Sequence, residues 1–224
     1  MAAHTPLHYD LDDLSPSARI RQAALELFAE KGARGTSLRQ VAQRAAVSLG
    51  ALSHYYPSKA ALEDSVRDFV STQVARAVVD DAMAATPLEE ADRRRDAFHM
   101  FLRDHPVIAG YIRHELLQGG AAGARALQRH LRSTRVHMDR LSAAGYLRPL
   151  PDPEMGRVVY QMMSLIPFLF GDSISEATGI DLSTPEGMQR WRNAELDILS
   201  RGIIPNDREA TAGRRKKNPS KRRG

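Results

Sequence analysis

From Ser15 onward the apolar positions recur at helical spacing. Ile20, Ala24, Leu27 and Phe28 share one face, with Arg19, Arg21, Gln22 and Glu26 between them. This pattern predicts an amphipathic helix. Ser15 followed by Pro16 reads as an N-cap and a first-turn proline, and Gly32 as a left-handed stop. Thr36 is placed to cap a second, short helix whose apolar face is Leu38, Val41, Ala42 and Ala45. A tight connection through Ala45, Ala46 and Val47 leads to Ser48, a further candidate N-cap. A third short helix then runs to about Tyr55 and presents Leu52 and Tyr56 inward. Pro57 closes it, and Ser58 caps a longer helix that begins at Lys59.

The pattern stays helical beyond this point. Ser58 to about Ala84 carries Leu62, Val66, Phe69, Val70, Val74 and Val78 as a stripe. Thr86 to Asp104 carries Phe98, Phe101 and Leu102, and Pro106 can start a helix containing Ile108, Ile112, Leu116 and Leu117. The run GGAAG at 119–123 reads as a loop. Helices are expected from about Ala124 to Ala144, from Asp152 to about Asp172, and from Leu182 to Gly202. No segment alternates as a strand, so the expected fold class is all-α. The domain plan is a flexible arm at 1–14, a helix-turn-helix domain at 15–62, a helical domain at 63–204 and a disordered basic tail at 205–224.

Two helices of about eight residues joined by three or four small residues, with a third helix completing their core, form a tri-helical helix-turn-helix arrangement. The second short helix of such a unit can enter a DNA major groove. Charge supports this. The chain has a net charge of +5, unevenly spread. Between 17 and 62, seven basic groups (Arg19, Arg21, Lys31, Arg34, Arg39, Arg44, Lys59) face only Glu26 and Glu30. The tail after residue 204 holds eight more basic groups against Asp207 and Glu209. Both are expected polyanion contacts.

Composition removes other classes. With 42% hydrophobic and 26% charged residues, wholesale disorder is not expected. The absence of cysteine excludes disulfides, thiol catalysis and cysteine-held zinc or iron–sulfur centres, and suits a reducing, cytoplasmic compartment. The start, MAAHTPLHYDLDDL, has no apolar run that would make a signal peptide. The greasiest stretch, Met162 to Phe170, is interrupted by Ser164 and Pro167 and is half the length of a membrane span. No nucleophile elbow or phosphate loop is present, so an enzyme is not expected. His99, His105, His114, His130 and His137 lack a tight carboxylate or thiol company, so no metal and no cofactor are expected.

The letters themselves go further. The segment SARIRQAALELFAEKGARGTSLRQVAQRAAVSLGALSHYYPSKAALEDSV resembles the N-terminal domain of the TetR family of transcriptional regulators. AALELFAEKG, GTSLRQVAQRAAVS and GALSHYYPSKAAL match in order and spacing. Two positions depart from the family pattern: Leu49 stands where lysine is usual, and Ser53 where tyrosine is usual. The resemblance implies that Thr36, Ser48, His54, Tyr55 and Lys59 contact DNA, with Arg39, Arg44 and Ser53 secondary. Thr36 and Ser48 would cap helices facing phosphates. Weaker likeness continues through DHPVIAGYIRHELLQGG and EGMQRWRNAELDILSRGI.

In that family the second domain binds an effector and dimerises through its last two long helices. Around Met162 to Phe170 the chain is too densely apolar for a helix with a free face, which independently suits a homodimer. Val159, Met163, Ile166, Phe170, Trp191 and Ile198 are the expected dimer residues. Phe98, Phe101, Tyr111, His114, Met138, Met162 and Phe168 are the expected pocket lining for a small organic effector. The expected function is a repressor that binds a palindromic double-stranded operator and is released by its effector. A transcriptional activator, or an architectural DNA-binding protein without an effector, remains open at this point.

Overall fold

The computed structural model describes residues 15–79, 86–147 and 149–201. The expected arm at 1–14, the end of the fourth helix at 80–84 and the basic tail lie outside them. Among the described residues every regular element is a helix: α1 (Pro16–Lys31), α2 (Leu38–Arg44), α3 (Leu49–Tyr55), α4 (Lys59–Val79), α5 (Pro87–Asp104), α6 (Pro106–Leu117), α7 (Gly120–Ala143), α8 (Pro153–Thr178) and α9 (Pro185–Arg201).

Chain packing groups α1–α7 with the start of α8, up to Ser164, as one compact unit; the second begins at Leu165. In the first unit α1 is the organiser. It buries Ile20, Ala23, Ala24, Leu25, Leu27 and Phe28 against α2, α3 and α4, and most extensively against α6. Full burial of each large member contributes about 1.5–3 kcal/mol. The α1–α6 contact is close because both helices are small where they meet. A Cβ added at Gly110 would lie 3.2 Å from the Ala29 Cβ and 3.3 Å from its carbonyl oxygen. Phe28 meets Tyr111 beside it, ring centroids 6.5 Å apart. The helix-turn-helix therefore has no packing boundary at residue 62: its first helix also forms core with α6. Gly110→Val should push the two helices apart and lower unfolding free energy by about 1–3 kcal/mol, measured by urea denaturation.

Farther on, ion pairs tie helices distant in sequence. Glu115 on α6 accepts from Arg129 on α7 at 2.7 Å and from Arg67 on α4 at 3.5 Å. Burial first, then the neighbouring Glu115, pushes the Tyr111 phenol well above its ordinary value. Arg157 at the start of α8 bonds Asp139 on α7 at 2.9 Å, and Thr134 bonds Gln161.

In the second unit Ser183 and Thr184 turn the chain before α9. Asp181 accepts from the Ser183 amide at 2.9 Å and hydroxyl at 2.7 Å, and these bonds hold its carboxyl below the usual range. The Thr184 hydroxyl accepts from the Gly187 amide at 3.1 Å, which satisfies a free donor of the first helical turn.

Several element boundaries differ from expectation. Ser37, not Thr36, caps α2. Gly32 does have positive φ, 75°, but with an extended ψ of 161°. The GGAAG run is mostly helix, since α7 begins at Gly120; the glycines weaken a helix without forbidding it. α8 extends six residues beyond Asp172, with Pro167 inside it. By length and composition it is a helix that could cross a bilayer, which the nine-residue reading of 162–170 understated. A helix covering an interface between proteins passes the same test.

Candidate nucleic-acid interface

The site is built on α2, the turn and α3. Ser37 and Gln40 form a reciprocal capping box: the Gln40 amide donates to Ser37 Oγ at 3.3 Å, and the Ser37 amide to Gln40 Oε1 at 2.9 Å. This satisfies two backbone donors that α2 would otherwise leave free. Seven residues then end at Ala45. Ala46 takes φ 53°, a conformation that costs a side-chain-bearing residue about 1 kcal/mol. The Val47 amide, donating to the Ala42 carbonyl at 3.0 Å, pins the turn. Ser48 then caps α3, accepting from the Ala51 amide at 3.0 Å.

α3 is anchored from below. Leu52 is fully buried. Tyr56, also buried, donates its hydroxyl to the Ser17 carbonyl at 3.0 Å and lies 3.4 Å from Ser65 Oγ. One side chain thus joins the start of α1, the end of α3 and α4. With that side held, Leu49, Ser53, His54 and Tyr55 face outward. The His54 and Tyr55 rings meet edge to face, centroids 5.3 Å apart. Lys59 stands half-buried at the start of α4, whose first turn Ser58 caps through the Ala61 amide at 3.1 Å. Arg39 is exposed on α2.

Two expected contacts are occupied inside the domain. Thr36 is only 3% exposed, and its hydroxyl donates to the Gly32 carbonyl at 3.0 Å. It braces the α1–α2 turn and has no surface to offer a phosphate. Arg44 reaches back to α1, 3.3 Å from Glu26 and 3.1 Å from Glu30. Its hydrogen bonds to Glu30 hold that carboxyl below its usual range and raise the guanidinium. The two carboxylates thereby offset the charge counted toward a phosphate contact. Arg21 is also engaged, its guanidinium 4.7 Å from the centre of the Phe69 ring.

The expected pocket residues fall into three places. Tyr111 is spent on Phe28, and His114 is exposed beside Gly32, its Nδ1 3.5 Å from where a Cβ would stand. Phe98, Phe101 and Met138 lie on α5 and α7, which pack together, with Phe98 6.4 Å from the His130 ring and Phe101 stacked on His105 at 4.3 Å. Met162 is half-buried on the first part of α8, and Phe168 belongs to the second unit. Sequence reading missed His137 as a site element. Its ring is 6.3 Å from Tyr160, and its Nε2 is buried without a hydrogen-bond partner. Burial, then Arg94, pushes its pKa down; burial, then Arg129, does the same for His130. Among the described residues no group of three or more His, Asp or Glu could hold a metal ion.

On the expected dimer positions the side chains are uncovered to different degrees. Val159 is 53% exposed, Phe170 48% and Ile198 41%; Met163, Ile166 and Trp191 are half-buried.

Two short capped helices joined by a tight turn, with the second held from below and bare on its outer side, define a helix-turn-helix DNA-binding protein. Residues 20–66 match the family of bacterial regulatory proteins, tetR family. In that segment the chain is similar to TetR-family helix-turn-helix transcriptional regulators. It is 29% identical to the HTH-type transcriptional repressor Rv3405c of Mycobacterium tuberculosis over 193 residues, 84% of this chain and 89% of that one. It is 28% identical to the HTH-type transcriptional regulatory protein RaaS of the same species over 142 residues, 63% of this chain and 64%, just under two thirds, of that one. Among solved structures, FadR from Bacillus subtilis in complex with stearoyl-CoA shares the fold, with TM-score 0.64 and 19% identity over 84% of this chain and 99% of that one. AibR, solved with isovaleryl coenzyme A and operator DNA, aligns with TM-score 0.55 and 20% identity over 69% of this chain and 86% of that one.

Proposed function

We propose that this regulator is a cytoplasmic repressor that binds a palindromic operator as a homodimer and is released by a small organic effector. The observation that carries the reading is the outward face of α3, where Ser53, His54 and Tyr55 stand free of the core that Leu52 and Tyr56 form. These three, with Arg39, Ser48 and Lys59, are the proposed DNA contacts; Thr36 and Arg44 are not among them. His54 and Tyr55 read base edges, while Arg39 and Lys59 serve the phosphates. The apolar positions along α8 and α9 supply the dimer face, and two-fold symmetry then requires an operator of matching symmetry.

The effector is proposed to lodge among α5, α6 and α7, against Phe98, Phe101 and Met138, with Met162 at the rim. His137 offers a neutral, buried nitrogen as a polar handle. The Glu115 ion pairs link α6 and α7 to α4, so a ligand that moves α6 acts on the helix leading from the DNA-binding unit. Tyr111 and His114 carry the same movement to α1. Such a coupling is worth about 1–3 kcal/mol. The coenzyme A thioesters held by FadR and AibR make acyl-CoA thioesters the first compounds to test.

The test of the DNA-reading face is His54→Ala and Tyr55→Ala, titrated against operator and scrambled duplex. Each base contact contributes about 1–3 kcal/mol. Operator affinity should fall by roughly 5- to 150-fold, with scrambled-duplex affinity and melting temperature unchanged. Unchanged operator affinity in both variants would refute this orientation of α3.

A further inference from the structure

One aliphatic side chain on α3 is only half covered by the fold. Leu49, the first residue of the helix, is 49% exposed, although leucine is the type of residue a three-helix core would bury. The core does not need it, since Leu52 on the same helix is fully buried. Leu49 sits one turn before Leu52 and Ser53, at the leading edge of the outward face. The next residue points the same way. Gly50 lies in the first turn, where glycine costs about 0.5–1 kcal/mol relative to alanine. Nothing among the described residues demands it: an added Cβ would meet only Ser48 Oγ at 3.9 Å, an ordinary contact, and its φ is not positive. A missing side chain that the protein's own packing does not require fits a surface that another molecule must approach closely.

We propose that Leu49 is a specificity-determining residue that packs on the C5 methyl group of a thymine in each operator half-site, where Gly50 lets the α3 backbone come near the groove. The inference rests on the operator-binding reading above. In the major groove the thymine methyl is the apolar feature of the base-pair edges. A leucine at this place cannot donate or accept a hydrogen bond, so its discrimination is by shape and apolar contact. A half-exposed leucine also gains by leaving water when the groove covers it.

The experiment uses the full chain and an operator recovered by selection from a random duplex pool. Each thymine is replaced in turn by deoxyuridine, which removes the methyl and leaves every hydrogen-bonding group in place. At one symmetric position the native protein should lose about fourfold in affinity per half-site, and about fifteenfold when both are changed, the equivalent of one buried methyl at each site. Leu49→Ala should bind the thymine operator more weakly and be indifferent to deoxyuridine at that position, while remaining sensitive to His54→Ala. Gly50→Ala should melt no lower than the native protein yet bind the operator at least tenfold more weakly. The proposal is overturned if no deoxyuridine affects the native protein, or if every one affects native and Leu49→Ala proteins equally. Unchanged operator affinity in Gly50→Ala overturns the close approach on which the contact depends. A failure to select any operator removes the operator reading, and this inference with it.

Discussion

Val159→Glu combined with Phe170→Glu is expected to convert the proposed dimer into a monomer of 24.8 kDa and to reduce operator affinity by roughly 10²- to 10⁴-fold, the range that linked binding sites gain from each other. Val159, Met163, Ile166 and Phe170 recur at steps of three and four along α8, so they lie on one stripe of the helix. Its two end residues are about half exposed. Apolar surface of that kind on a chain of this size is the mark of an interaction site. In the proposed dimer a second copy of the chain, joined about a two-fold axis, would cover it with an identical face. Glutamates placed there would meet their own counterparts across the axis, and burying like charges without partners is costly. Because both residues are outward in the single chain, helical content should be retained. Light scattering reads the mass, and circular dichroism the fold. A double variant that stays dimeric would place the interface elsewhere.

Phe28→Ala is expected to destabilise the protein by about 3–5 kcal/mol, the cost of emptying a large buried aromatic site. Phe28 is 1% exposed, and its ring meets Tyr111 across the α1–α6 contact. The cavity would open where the helix-turn-helix joins the rest of the first unit, so the loss should be felt by both. Phe28→Leu refills part of the volume and should cost about 1–2 kcal/mol. Urea denaturation followed by circular dichroism measures the two values. A loss below 1 kcal/mol in Phe28→Ala would mean that α1 and α6 do not share a core.

Much of the helix-turn-helix was legible in the chain because its signals are local. Ser15, Ser48 and Ser58 do cap helices, Pro16 and Pro106 do open them, and Leu52 and Tyr56 are buried where periodicity put them. Caps and prolines act within one turn of their own position, and the apolar stripe repeats within a window of about ten residues. The same signals failed where two neighbours were chemically equivalent. Thr36 and Ser37 are adjacent hydroxyl residues, and either could cap α2. The phase of the helix chose Ser37, because Thr36 falls on the side that α1 covers.

What the sequence determined by itself was the class of protein: all-helical, with a capped helix-turn-helix near its start and an apolar surplus near its end. These properties come from propensity, spacing and composition, which are read without knowing who meets whom. Only the tertiary structure decided how each charge and ring is used. Arg44 is 14 and 18 residues from the carboxylates that hold it, and Arg67 is 48 residues from Glu115. Tyr111 meets Phe28, 83 residues earlier in the chain, across the α1–α6 contact. Leu49 stands half exposed while Leu52, on the same helix, is fully buried. A side chain's role depends on the desolvation and partners it finds when distant helices pack, and no local pattern encodes that meeting.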